Sequence, residues 1–102
     1  MKVHFMADDP TIVCRLGGDI ERADIAVLCD RLRTVLECER AESVVCDVAA
    51  TTRSDAVLVD ALARLQLVAR GMGSEVRLRH ARLELLDLMD LMGLAECLRS
   101  ES

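Results

Sequence analysis

Apolar residues follow different rhythms along this chain, and each rhythm predicts an element. From Val44 to Val48 the run V-V-C-D-V is apolar almost throughout, with neither a period of two nor one of 3.6, as in a strand buried within a parallel sheet. After the small polar run A-A-T-T-R-S, a stripe at Leu58, Ala61, Leu62, Leu65, Val68 and Ala69 recurs at helical spacing. The stretch Val44–Leu65 therefore reads as strand, loop and helix. Its joint falls at the carboxyl end of a strand and the amino end of a helix. Open α/β sheets place their sites there, and the unpaired N–H groups of a helix start attract anions.

The remaining elements follow in order. Lys2 to Met6 and Thr11 to Leu16 read as two strands of a hairpin, joined by the turn residues Asp8-Asp9-Pro10. In the second strand Ile12, Cys14 and Leu16 share one face, and Thr11, Val13 and Arg15 the other. Gly17-Gly18 breaks the pattern, and Asp24 is the expected N-cap of a first helix carrying Ile25, Leu28, Leu32, Val35 and Leu36 on its buried side. Asp30, Arg31, Arg33, Glu37 and Glu39 face water on the same helix. Gly71 and Gly73 end the second helix, one of them supplying a left-handed C-cap residue, and Glu75 to Arg79 forms a fourth strand with Val76 and Leu78 inward. A last helix spans about Arg82 to Met92 and stops at Gly93, and Ala95 to Leu98 adds a short terminal strand or turn. The order strand, strand, helix, strand, helix, strand, helix predicts an α/β domain. Its sheet is mixed, with four to five strands, and right-handed crossovers join the parallel neighbours.

Composition narrows the classes. With 102 residues the chain is expected to be one domain, 1–102, and with 52% apolar residues but Phe5 as its lone aromatic, the core must be aliphatic and sulfur-bearing. A net charge of −5 offers no basic face to neutralise phosphates, which argues against nucleic acid as a partner. No apolar run approaches the ~18 residues needed to cross a bilayer, no export signal is visible, and membrane insertion is not expected. The cysteines, Cys14, Cys29, Cys38, Cys46 and Cys97, are odd in number and widely spaced without a C-x-x-C pair. They suit reduced core thiols of a cytoplasmic protein better than a metal centre or a disulfide framework.

Enzyme chemistry finds little to use. His4 and His80, the neutral-pH bases, lie at strand ends beside no Ser or Cys in a nucleophile setting, and no G-x-x-x-x-G-K-[ST] or G-x-G-x-x-G motif declares a phosphate cradle. Glu84, Asp87 and Asp90 recur at three-residue spacing on the last helix, as on a solvated face. The same helix carries Leu83, Leu85, Leu86, Leu88, Met89, Leu91 and Met92, more apolar residues than one buried stripe needs. Either the chain's end covers the surplus, or it serves a partner or a homodimer. No catalytic residue, metal ligand or cofactor is assigned.

Five motifs in order carry a family resemblance: G-G-D-I-E-R-A-D at Gly17–Asp24, V-V-C-D-V at Val44–Val48, the helix opening at Asp55, G-S-E-V-R-L at Gly73–Leu78 and D-L-M-G-L at Asp90–Leu94. The chain resembles the STAS domain family, which includes bacterial anti-sigma-factor antagonists, from about Val3 to Leu98. The resemblance implies a mixed sheet with packed helices and a partner that is an anti-sigma factor or GHKL-type serine kinase. In the antagonists a strand aspartate is followed by an Asp-Ser-Ser-Gly or Asp-Ser-Thr-Gly signature whose serine that kinase phosphorylates. Asp47 and Asp55 match the two aspartates at the family's separation, but Ala56, Val57 and Leu58 follow, so the hydroxyl and the glycine are missing.

The resemblance makes Thr51, Thr52, Arg53, Ser54, Asp55, Ala56 and Val57 the partner-binding stretch. A phosphate there would add ~1.5 to 2 negative charges at a helix start and disrupt a docked interface, which Ala56 and Val57 cannot do. Ser54, with Thr51 and Thr52 nearby, is the candidate substitute phosphoacceptor, but an ordinary turn or N-cap is the commoner role for Ser54 and Asp55. The expected function is a non-catalytic protein-binding regulator in the cytoplasm, without the usual serine switch. The alternatives are a STAS scaffold subunit of a lipid-transport complex or stress-signalling particle, and a small-ligand or nucleotide sensor.

Overall fold

The computed structural model describes residues 1–100, the last two as backbone, so the end of the expected 1–102 domain lies outside the described residues. Its elements are β1 (Lys2–Asp8), β2 (Thr11–Gly18), α1 (Arg22–Cys38), β3 (Ser43–Thr51), α2 (Ala56–Gly71), β4 (Val76–Arg79), α3 (Leu83–Leu91) and β5 (Arg99–Ser100). The sheet order is β1-β2-β3-β4-β5, antiparallel between β1 and β2 and parallel thereafter. This is the mixed α/β architecture read from the periodicity. The hairpin strands run two residues further than their apolar patterns, because the pairing continues from Lys2↔Gly17 to Asp8↔Thr11. The segment Ala95–Leu98 is a turn tied to Leu94, and the last strand starts one residue later.

One face of this sheet carries the core. Ile12, Cys14 and Leu16 of β2, Val44, Cys46 and Val48 of β3, and Val76 and Leu78 of β4 join one buried cluster with Leu28 and Leu32 of α1, Leu58, Leu62 and Leu65 of α2, and Leu85 and Met89 of α3. Val13 and Val45 are buried hydrophobic residues outside that cluster, since alternation turns them to the other face.

The helix ends show what the pattern hid. Asp24 is not the N-cap of α1: Glu21 holds that place, and Asp24, at the third helical position, accepts the Glu21 N–H at 3.0 Å. A carboxylate there still satisfies an orphan donor, so the helix gains the turn containing Arg22 and Ala23. Asp55 caps α2 as expected, accepting from the Leu58 N–H at 3.0 Å. Both α2 and α3 end in the same left-handed glycine motif. Ser74 N–H reaches Ala69 C=O at 2.8 Å around Gly73, and Leu94 N–H reaches Met89 C=O at 2.8 Å around Gly93.

Gln66 is a fully buried polar side chain in α2. Its carboxamide oxygen accepts from Val76 N–H at 2.7 Å, and its nitrogen donates to Val76 C=O at 3.2 Å and Cys97 C=O at 2.7 Å. It ties α2 to the start of β4 and to the turn before β5. Gln66→Ala leaves a buried Val76 N–H unpaired, and we expect it to destabilise the fold by about 2–3 kcal/mol. Urea unfolding reads this as a lowered midpoint at unchanged slope. Arg70→Ala, which loses an exposed 3.4 Å bond to the same Cys97 carbonyl, should change the midpoint little.

Candidate functional site

The segment from Ala49 to Asp55 carries the last residues of β3 into α2, at the same sheet end where β2 and β4 also finish. A bulge prepares it. Arg15 pairs with Asp47, but Gly17 pairs with Ala50, so β3 carries one residue more than β2 before both strands stop. Thr51 closes the strand, buried, its hydroxyl donating to Val48 C=O at 2.7 Å.

Beyond Thr51 the chain is held from two sides. On the β2–α1 side, Thr52 N–H donates to Gly18 C=O at 3.2 Å, and the Thr52 hydroxyl donates to the Asp19 carboxylate. Arg53 Nε stands 3.5 Å from the same carboxylate and 3.9 Å from Asp55. On the β4–α3 side, Arg82 donates to Ala49 C=O at 3.2 Å, and His80 Nδ1 meets Asp47 Oδ1 at 3.1 Å. His80 has left-handed backbone, φ 60, unusual for a residue with a side chain. Read from sequence as a strand-end surface histidine, it is exposed, but it has a carboxylate partner.

Asp47 organises this side. Its Oδ1 also accepts the Ala49 N–H at 3.0 Å. Burial pushes its carboxyl up, but the Ala49 N–H, His80 and the nearby Arg15 guanidinium together hold it below the usual carboxylate range. The first turn of α2 is simpler. Ala56 is exposed, and Val57 is half-buried against the core. Neither can accept a phosphate.

The expected site residues are thus brought together, with divided roles. Thr52, Arg53 and Ala56 are exposed; Thr51 is internal, and Asp55 is occupied as the helix cap. Ser54 Oγ neither caps the helix nor faces water: it is shielded and has no hydrogen-bond partner. Sequence reading missed Asp19, His80 and Arg82 as loop supports, because their contacts join residues some thirty positions apart. Among the described residues no group of three or more His, Cys, Asp or Glu could hold a metal ion. No described helix is long and apolar enough to cross a membrane.

A mixed sheet with this loop at its carboxyl edge is the STAS arrangement, and the chain belongs to that family: the family model described as Mlab, STAS domain matches residues 3–100. A search of curated proteins finds no match. Among solved structures, the unphosphorylated anti-sigma factor antagonist SpoIIAA is similar at a TM-score of 0.76 and 12% identity, over 99% of this chain and 89% of that one. An RsbS variant from Moorella thermoacetica gives 0.79 and 15%, over 99% and 86%. An anti-sigma factor antagonist from Mycobacterium paratuberculosis gives 0.74 and 17%, over 98% and 86%. At these identities the likeness is one of fold.

The sign of the Asp47 effect gives a test. A carboxyl whose folded pKa is lowered contributes stability that is present above about pH 4 and is lost as pH falls through the lower folded value. Asp47→Asn should therefore destabilise the protein at neutral pH and flatten the acid limb of its stability curve below about pH 4 relative to wild type. Chemical denaturation across pH reads both. Amide exchange at Ala49 should quicken in the variant.

Proposed function

We propose that this chain is a non-catalytic, protein-binding regulator that docks on an anti-sigma factor or GHKL-type serine kinase through Thr51–Val57, without the serine switch. The observation that carries the reading is the braced loop ending in an exposed Ala56 at the start of α2. Family membership supports the class of function, since similar folds include proteins described as anti-sigma factor antagonists. One of these has also been solved in a phosphorylated form, at a TM-score of 0.59 to this chain. Here the signature positions after Asp55 carry no hydroxyl, and Ser54, the nearest serine, keeps its own shielded. On this reading binding is constitutive or is controlled at another residue.

Two measurements test it. Incubation with the partner kinase and ATP should leave Thr51, Thr52 and Ser54 unmodified by mass spectrometry; phosphate on any of them shows that the switch is retained. Ala56→Asp places a charge where the helix dipole favours it, so the melting temperature should hold or rise. Binding to the partner should weaken about tenfold or more through repulsion and desolvation. Unchanged binding would remove the loop from the interface.

The apolar pair Ala56-Val57 also favours a second reading, in which the helix start packs permanently within a larger assembly as a STAS scaffold subunit. Purification from the native host separates the two. A transporter ATPase recovered without a GHKL-type kinase favours the scaffold, and the kinase favours the regulator.

A further inference from the structure

The sheet has a second face, and nothing among the described elements packs on it. Across it the pairing aligns Met6, Val13, Val45 and Arg77 in one row and His4, Arg15, Asp47 and Arg79 in the next. Met6 is 41% exposed at the edge of this face, whereas Val13 and Val45 are buried beside it. Lys2 forms no ion pair among the described residues, the exposed Arg15 acts on the nearby Asp47 carboxylate, and Arg77 stands 3.9 Å from Glu75, just before its strand. In a chain of net charge −5 this is a cationic surface with one exposed apolar side chain, Met6, at its edge.

The opposite side of the molecule carries the complement. On α3, Leu85 and Met89 turn into the core, while Leu83, Glu84, Asp87, Asp90 and Leu91 form one continuous solvent arc. Leu83 and Leu91 are 75% and 83% exposed, the highest values among the large hydrophobic residues. No cation pairs with Glu84, Asp87 or Asp90 among the described residues, so three like charges repel along one side of a helix.

We propose that the open sheet face receives the α3 arc of a second copy of this chain. Leu83 and Leu91 lie against Met6 and the aliphatic stems of the exposed Arg15 and Arg77, whose guanidinium groups meet Glu84, Asp87 and Asp90. The two patches are different and lie on opposite sides of the sheet, so the contact is head-to-tail and propagates as a ring or an open chain. It leaves the β3–α2 loop free for the partner proposed above and does not depend on that reading.

Sedimentation velocity on the full chain tests it. Wild type should form concentration-dependent oligomers that weaken as salt rises from about 0.05 to about 0.5 M. Arg15→Glu with Arg77→Glu reverses the sheet face, and Glu84→Lys with Asp87→Lys reverses the helix. Each double variant alone should lose association about tenfold or more, and an equimolar mixture of the two should regain it. Thermal melts establish that the variants are folded; if a reversal unfolds the chain, the corresponding Gln substitutions and Leu83→Ser with Leu91→Ser replace it and should weaken association alike. A wild type that stays monomeric at low salt overturns the proposal, even if the sheet face captures a foreign acidic protein. So does association that survives both reversals, or that mixing fails to restore.

Discussion

Covering a sheet on one face only is the constraint on which the rest of this structure depends. Parallel strands are ordinarily sandwiched between helix layers, but α1, α2 and α3 all deliver their apolar sides to the same cluster. Three successive right-handed crossovers between neighbouring strands in one direction, β2-α1-β3, β3-α2-β4 and β4-α3-β5, necessarily place their helices on one side. The aliphatic core can then be thin, and Leu, Val, Ile and Ala fill it without aromatic bulk. The other face must manage alone. Val13 and Val45 stay buried there amid Met6, Arg15, Asp47 and Arg77, long or charged side chains set around two small hydrophobes.

The same topology decides where the working loop sits. Because β2, β3 and β4 are parallel, their carboxyl ends share one edge, and the connections that leave them lie side by side. Asp19 follows β2, and His80 and Arg82 follow β4, so each flank of the β3–α2 loop meets a neighbouring connection. From Thr52 to Asp55 the polar backbone lies outside any ladder, and such a stretch would ordinarily be among the first parts of a domain to open. Here Asp19 holds its start at Thr52, and Asp47 and Arg82 hold Ala49 ahead of it. A loop braced in this way presents a preformed surface, which lowers the ordering cost of binding.

Much of this was legible in the sequence, and the exceptions have physical reasons. Helical stripes and strand alternation are local, so the element order, the buried faces and the cap at Asp55 could be read without coordinates. Asp24 misled because a carboxylate near a helix start satisfies orphan donors equally well from the cap or from the third position, and periodicity does not register that shift. Gln66 was hidden by standing beside Leu65 at the edge of an apolar stripe; its partners are backbone groups of Val76 and Cys97, which leave no compositional trace. His80 and Asp47 meet across two parallel strands, and nothing in a one-dimensional pattern pairs them. Ser54 could be read either as a cap or as an acceptor, but the folded chain gives its hydroxyl neither solvent nor a partner.

The shielded Ser54 hydroxyl bears on how such a site could be regulated at all. A kinase needs a hydroxyl it can reach, and the exposed candidate, Thr52, already donates to Asp19, with Arg53 and Asp55 close by. Adding a phosphate to Thr52 would set three negative groups around one guanidinium and break the hydroxyl bond that anchors the loop to the β2–α1 connection. Modification there would loosen the loop, whereas a phosphate on the first turn of α2 would be stabilised by the helix dipole and leave the loop in place. In this chain Ala56 and Val57 stand on that first turn and offer no hydroxyl. On the reading proposed above, a partner meets the exposed Ala56 and half-buried Val57 between the Asp55 cap and Arg53, and its affinity is set by shape and burial rather than by a covalent mark.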